Sequence, residues 1–130
     1  MASWALHRVR QGLAIWLILM ASLPGAAAEE IAWVGLGPDG STRVGLWFFW
    51  SERCPHCREA LPFVEALAAQ HPWLEIHSLE LARNRDNAAL YVRMAAALGQ
   101  EARAVPAFLV CGQMLTGFDG ADGIGARVLA

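Results

Sequence analysis

Residues 44–62 read VGLWFFWSERCPHCREALP, and the rest of the chain is interpreted outward from them. An apolar run over 44–50 stops at a polar corner, Ser51-Glu52-Arg53, and delivers Cys54 and Cys57 to the start of an amphipathic helix. A strand this apolar is expected to be buried on both faces. The corner after it leaves Cys54 at a helix N-terminus, where unpaired N–H groups and the helix dipole favour a negative charge such as a thiolate. Pro55 suits the first helical turn, because the N–H it lacks has no partner there. At helical spacing Cys57, Leu61, Val64 and Ala68 share one side, with Arg58, Glu65 and Ala69 on the other. Cys57 is therefore expected to point inward as a resolving thiol, and Cys54 to stay at the tip as the attacking one. The layout is that of a redox site. A CxxC pair is also compatible with a structural disulfide or with inert buried thiols. Zinc uses the same spacing but needs a second pair of ligands, and only Cys111 remains.

The segment Cys54-Pro55-His56-Cys57, with an aromatic-rich strand before it and Pro62 after it, resembles the active-site segment of the thioredoxin superfamily. Its CPHC filling is similar to that of the periplasmic disulfide oxidases of the Dsb group. A second landmark is Val105-Pro106 followed by the apolar run 107–111. The resemblance implies that Pro106 is a cis-proline lying against the redox pair. It implies a thioredoxin-like α/β fold with a central mixed β-sheet flanked by helices. It also implies an exported thiol–disulfide oxidoreductase with Cys54, Cys57, His56, Pro55 and Pro106 in the site. Protein or peptide thiols and disulfides would be its partners, with room for a membrane redox partner, and no cofactor or metal is called for. Only about 24 residues separate Leu81 from Pro106, so the large helical insertion of Dsb-type oxidases is expected to be missing. A further departure concerns proton transfer. The family places a buried acid six residues before the first cysteine, and this chain has Phe48 there, with Glu52 the nearest acid.

Residues 1–28 have the three zones of a secretory signal: Arg8 and Arg10 without an acid, an apolar stretch over 12–23, and Ala26-Ala27-Ala28 before Glu29. An uncleaved anchor is the alternative, for which the apolar stretch is short and Pro24 interrupts its end. Export suits disulfide chemistry and points to the periplasm. The remainder, 29–130, is one thioredoxin-like domain. All 12 acidic residues lie in it, whereas two of the ten basic ones precede it, so its net charge is about −4. With no lysine and a negative balance, nothing points to nucleic acid.

The expected elements are a first strand over 29–36, the strand over 44–50 and the active-site helix to about Gln70, which Pro62 is expected to kink by removing the hydrogen bond to the Arg58 carbonyl. A strand over 74–81 and a helix over 84–98 follow, the helix capped by Asn84 or Asp86 and lined inwardly by Leu90, Met94, Ala97 and Leu98. Strands over 107–111 and 114–118 form a hairpin through Gly112-Gln113, read as a type II′ turn. A helix over 121–130 with Ile124 and Val128 inward ends the chain.

A free thiol titrates near about 8.5, and helix N-termini with CxxC surroundings bring it to between about 3.5 and 7.5. His56 is expected to add a cation or donor beside the Cys54 sulfur. Arg53 and Arg58 read mainly as solvated charges, and Trp47, Phe48, Phe49 and Trp50 mainly as core, with Trp50 or the rim near it as the alternative border of a substrate groove. His71 and His77 read as a helix-end and a strand-surface residue, and Cys111 as a small core residue outside the chemistry. The alternative function is a thioredoxin-fold copper chaperone binding through Cys54 and Cys57. Such carriers typically place three residues between their cysteines, which CPHC does not. A c-type haem site is excluded, because Arg58 stands where histidine is required.

Overall fold

A computed structural model describes residues 30–130; the signal-peptide reading of 1–28 lies outside the described residues. The strand β2 (Thr42–Trp50) is the centre of the sheet. Its residues are held on both edges: Val44 pairs with Val34 and with Leu74, and Leu46 with Val110 and with Ile76. The strand β3 (Leu74–Glu80) therefore runs parallel along one edge of β2. The other edge carries the short antiparallel β1 (Val34–Leu36) and, further along, the antiparallel β4 (Ala107–Val110). Strand β5 (Gln113–Thr116) closes a hairpin on β4, giving a five-stranded mixed sheet in a small α/β domain. β2 starts two residues earlier than its apolar run, because Thr42 and Arg43 extend the pairing to β1. The first strand is correspondingly shorter than expected, with Ile31 and Trp33 packing on the core from outside it.

Alternation along β2 and β4 divides the core. Leu46, Phe48 and Phe108 face helix α1 (Pro55–Gln70) together with Ala60, Val64 and Leu67, and Val128 of the short C-terminal α3 (Ala126–Val128) joins them. Phe49, Ala107 and Leu109 face helix α2 (Arg85–Ala97), which contributes Tyr91, Met94 and Ala95. Each fully buried large apolar side chain contributes roughly 1.5–3 kcal/mol. Gly45 has a local reason: a Cβ there would fall about on the ring of Trp47, which lies back over it between Trp33 and His77.

Both helices are rotated from their expected phase. On α1 the buried stripe is Cys57, Ala60, Val64 and Leu67; Leu61 is only partly buried and Ala68 is exposed. On α2 the fully buried residues include Tyr91 and Ala95 beside Met94, while Ala97 is exposed. Asn84 caps α2, its Oδ1 accepting the N–H groups of Asp86 and Asn87 at 3.0 and 3.2 Å. Helix α1 runs unbroken past Pro62. The final helix is shorter than expected: residues Ala121–Gly125 form a π-type turn with Gly123 outside helical geometry, and α3 is a single turn.

The hairpin is corrected by one residue. Val110 pairs with Gln113, so its turn is Cys111-Gly112, with φ of +47° and +77°. Two positive φ values are the mark of a type I′ turn, the form that matches strand twist, and not of type II′. This register sets Phe108 opposite Leu115, whereas a turn at Gly112-Gln113 would have set it opposite Gly117. Cys111 is accordingly exposed at the turn and is not a core residue. Because only glycine takes a left-handed φ freely, Gly112→Ala is expected to lower stability by about 1–2 kcal/mol, read from the urea midpoint. Gly35, which lies in β1 without a positive φ, supplies the comparison.

Candidate redox site

β2 ends at Trp50, and the chain turns through Ser51-Glu52-Arg53 before α1 begins at Pro55. The Cys54 N–H donates to the Ser51 carbonyl at 3.0 Å, and the Arg53 N–H to Ser51 Oγ at 3.2 Å, so the corner is a tight turn. Cys54 is the N-cap of α1, in extended conformation, and Pro55 is the first helical residue. The orphan N–H of Cys57 donates to Cys54 Sγ at 3.3 Å, so sulfur fills the place a serine or aspartate oxygen normally takes. Cys54 is half-buried and Cys57 wholly buried; both are free thiols here.

The second wall of the site comes from the other end of the sheet. The Val105–Pro106 peptide is cis, and Pro106 is buried at the entrance to β4. The Cys54 thiol donates to the Val105 carbonyl at 3.5 Å, across 51 residues of sequence. Tyr91 braces this loop from below: its ring stacks on Phe49, and its hydroxyl donates to the Ala104 carbonyl at 2.7 Å. Burial raises the Tyr91 phenol above its ordinary range and keeps it a donor. Next to Val105 lies a shallow groove of about 260 Å³ lined in part by Leu81, Tyr91, Val92 and Ala102.

Burial pushes the Cys57 thiol up to about 12, helped by its hydrogen bond with Cys54 and by the charge of that neighbour, against a smaller opposing effect of the Ser51 backbone. Phe48, six residues before Cys54, is wholly buried and stacked on Phe108 with ring centroids 5.0 Å apart. Among the described residues no charged side chain is buried, so Cys57 has no internal carboxylate to take its proton.

The remaining expected residues are spread around this centre. His56 lies on the exposed surface with Nδ1 3.5 Å from Glu59 Oε2, turned along the helix, while Cys54 Sγ is engaged by Cys57 and Val105. Arg53 and Arg58 are exposed. The Trp50 indole donates to Ser78 Oγ at 3.0 Å, and its ring packs against the α1-side core. His71 caps the end of α1 against Trp73, and His77 stacks on Trp47 at 4.6 Å, both away from the cysteines in sequence and fold. Among the described residues no three His, Cys, Asp or Glu side chains form a group able to hold a metal. None of the helices among the described residues is long and apolar enough to cross a membrane.

Tyr91, Glu80 and Arg83 also bear on the site. Tyr91 lies outside the inward stripe expected for its helix. Glu80 and Arg83 belong to no motif in the sequence, which gives no signal for them. Yet Glu80 accepts the backbone N–H of Glu52, in the corner before Cys54, at 3.3 Å, and Arg83 pairs with the Glu52 carboxylate. Scanned against models of known protein families the sequence matches none, and a search of curated proteins returns no match.

Native, reduced protein treated with iodoacetamide at neutral pH is expected to be modified at Cys54 and Cys111 and spared at Cys57, as peptide mass spectrometry will show. The raised Cys57 thiol also sets a sign for stability: the folded dithiol keeps its proton where the unfolded chain loses it. Stability is therefore full below pH 9.0 and falls as pH rises towards about 12. Cys57→Ala is expected to remove that part of the decline.

Proposed function

We propose that this protein is a thiol–disulfide oxidoreductase with a thioredoxin-like fold, working through Cys54 and Cys57. The observation that carries this reading is the placement of one sulfur. Cys54 Sγ, half-exposed at a helix N-cap, sits between the Cys57 N–H and the Val105 carbonyl, with Cys57 buried one turn behind it. The fold assignment is supported by the sequence β2-α1-β3-α2-β4-β5-α3. It is supported also by the central strand being parallel to β3 and antiparallel to β4. The short connection from β3 to Pro106 holds only α2, which fits a domain with no inserted helices.

In the reducing direction the Cys54 thiolate attacks one sulfur of a substrate disulfide. The substrate S–S bond breaks, its other sulfur leaves as a thiolate and takes a proton, and a mixed disulfide remains. Cys57 then gives up its proton and attacks Cys54 Sγ, expelling the second substrate thiol and leaving the Cys54–Cys57 disulfide. Two electrons pass to the substrate, and the reverse sequence oxidises a substrate dithiol. Two of the influences that hold the Cys57 proton come from Cys54 itself, its hydrogen bond and its charge. Both disappear once Cys54 is in the mixed disulfide, which weakens the hold on the Cys57 proton while burial, its largest cause, stays; the substrate thiolate expelled in the second step is the base that takes it. Protein or peptide thiols are the substrates, and the apolar groove beside Val105 suits a side chain flanking the substrate cysteine. The reading of residues 1–28 as an export signal places the exchange in the periplasm, where oxidation and a membrane redox partner are both accessible.

Cys57→Ser is expected to accumulate mixed disulfides, seen as thiol-labile adducts on non-reducing gels. Cys54→Ser is expected to trap nothing and to lose exchange with a peptide disulfide. Trapping by Cys54→Ser but not by Cys57→Ser would reverse the roles, and trapping by neither would remove the proposal.

A further inference from the structure

A parallel ladder continued beyond Trp50 would offer the Glu52 N–H a backbone carbonyl on Leu81. The last such bond here runs from the Leu81 N–H to the Trp50 carbonyl at 2.9 Å, after which the chain leaves the sheet for α2. A side chain takes over the next acceptor position. Glu80 Oε1 accepts the N–H of Glu52 at 3.3 Å and of Ala82 at 2.9 Å, and Oε2 accepts the N–H of Arg83 at 2.7 Å. Arg83 closes the ring, with Nε donating to Glu52 Oε1 at 3.0 Å and Nη2 lying 2.6 Å from Glu52 Oε2. From α2, Asn87 Nδ2 donates to the Glu80 carbonyl at 2.9 Å and fixes the residue's backbone.

The segment held in this way is the corner that presents Cys54, whose own N–H is tied to Ser51. We propose that Glu80 is a positioning residue for Cys54: its carboxylate pins the Ser51–Arg53 corner to the end of β3, keeping the Cys54 sulfur within reach of the Cys57 N–H and the Val105 carbonyl. The role in exchange rests on the oxidoreductase reading; the effect on Cys54 does not. Glutamine keeps the shape of Glu80 but replaces one acceptor oxygen by a donor, which meets an N–H with an N–H. The three N–H donors, the Arg83 one first, together with the Arg83 charge, hold the Glu80 carboxyl below its ordinary range against some desolvation. Glu52 and Arg83 are the charged groups facing it. The clasp is thus intact at neutral pH and released as pH falls through that lowered value.

The test uses Cys111→Ser protein, alone and with Glu80→Gln or Glu80→Ala. It measures the rate of Cys54 with a dipyridyl disulfide across pH, and the fraction oxidised against glutathione. Both Glu80 variants are expected to slow Cys54 about three- to tenfold at neutral pH, as weakening one hydrogen bond to a charged sulfur implies. A similar factor is expected to shift the glutathione equilibrium towards the disulfide, since the reduced form is the one the bond stabilises. The rate ratio to Glu80→Gln is expected to approach one as the wild-type carboxyl is protonated. Equal rates at neutral pH in folded variants overturn the proposal. If the parent forms no Cys54–Cys57 disulfide with glutathione, the oxidoreductase reading falls, while the Cys54 rate ratio with the dipyridyl reagent still decides the role of Glu80. If both variants fail to fold, the parent decides by NMR. The Glu52 and Cys54 amides must titrate with the Glu80 carboxyl, and amides that do not move overturn the proposal.

Discussion

An α-helix begins with N–H groups that its own carbonyls cannot reach, and in this protein one of them, on Cys57, ends on a sulfur. That bond joins the two cysteines before any chemistry takes place. It needs Cys54 in extended conformation outside the helix, and Pro55 immediately inside it allows this because its missing N–H leaves nothing unsatisfied. Much of the domain serves to hold that junction. β2 carries the chain to it, the corner turns the chain, and the loop before Pro106 supplies the opposite wall.

The rigid part of the arrangement is apolar. Phe48 and Phe108 stack on one side of the sheet, and Phe49 and Tyr91 on the other. The first locks β2 against β4 and the second locks β2 against α2, so the Val105 carbonyl is delivered to Cys54 by the same packing that builds the core. The same apolarity sets the chemistry of Cys57. Cys57 is wholly buried with no buried charged side chain among the described residues, and burial first, then the hydrogen bond and charge of Cys54, hold its proton. Phe48 is given over wholly to packing, stacked on Phe108.

Polar contacts then finish what the core leaves loose. The Tyr91 hydroxyl ties down the Ala104 carbonyl, and Glu80 receives three N–H groups where the sheet ends and the connecting segments would otherwise separate. Each is a side chain completing a backbone hydrogen-bond pattern at its boundary, which is where an unpaired N–H or carbonyl is most costly.

Several features followed from the sequence by itself, because each depends on neighbours in the chain. The apolar run of β2 implied burial on both faces. Pro55 after Cys54 implied a helix start with the first sulfur at its tip, and Asn84 implied the cap of α2. Helix phase was not legible in α1: Ala60 with Leu67 and Leu61 with Ala68 are neighbouring stripes on one cylinder. Only the sheet beneath selects between them. The hairpin turn slipped by one residue for a similar reason. Gly112 fits several turns, and the pairing of Phe108 with Leu115 selects the one that forms. His56 read as a neighbour of Cys54, yet a helix sets residues three and four apart side by side, and the ring meets Glu59. The approach of the Val105–Pro106 loop to the cysteines was expected from a resemblance and from no local pattern. Tertiary structure alone brought the Val105 carbonyl itself to the sulfur and Glu80 to the Glu52 N–H, because contacts 51 and 28 residues apart depend on strand register.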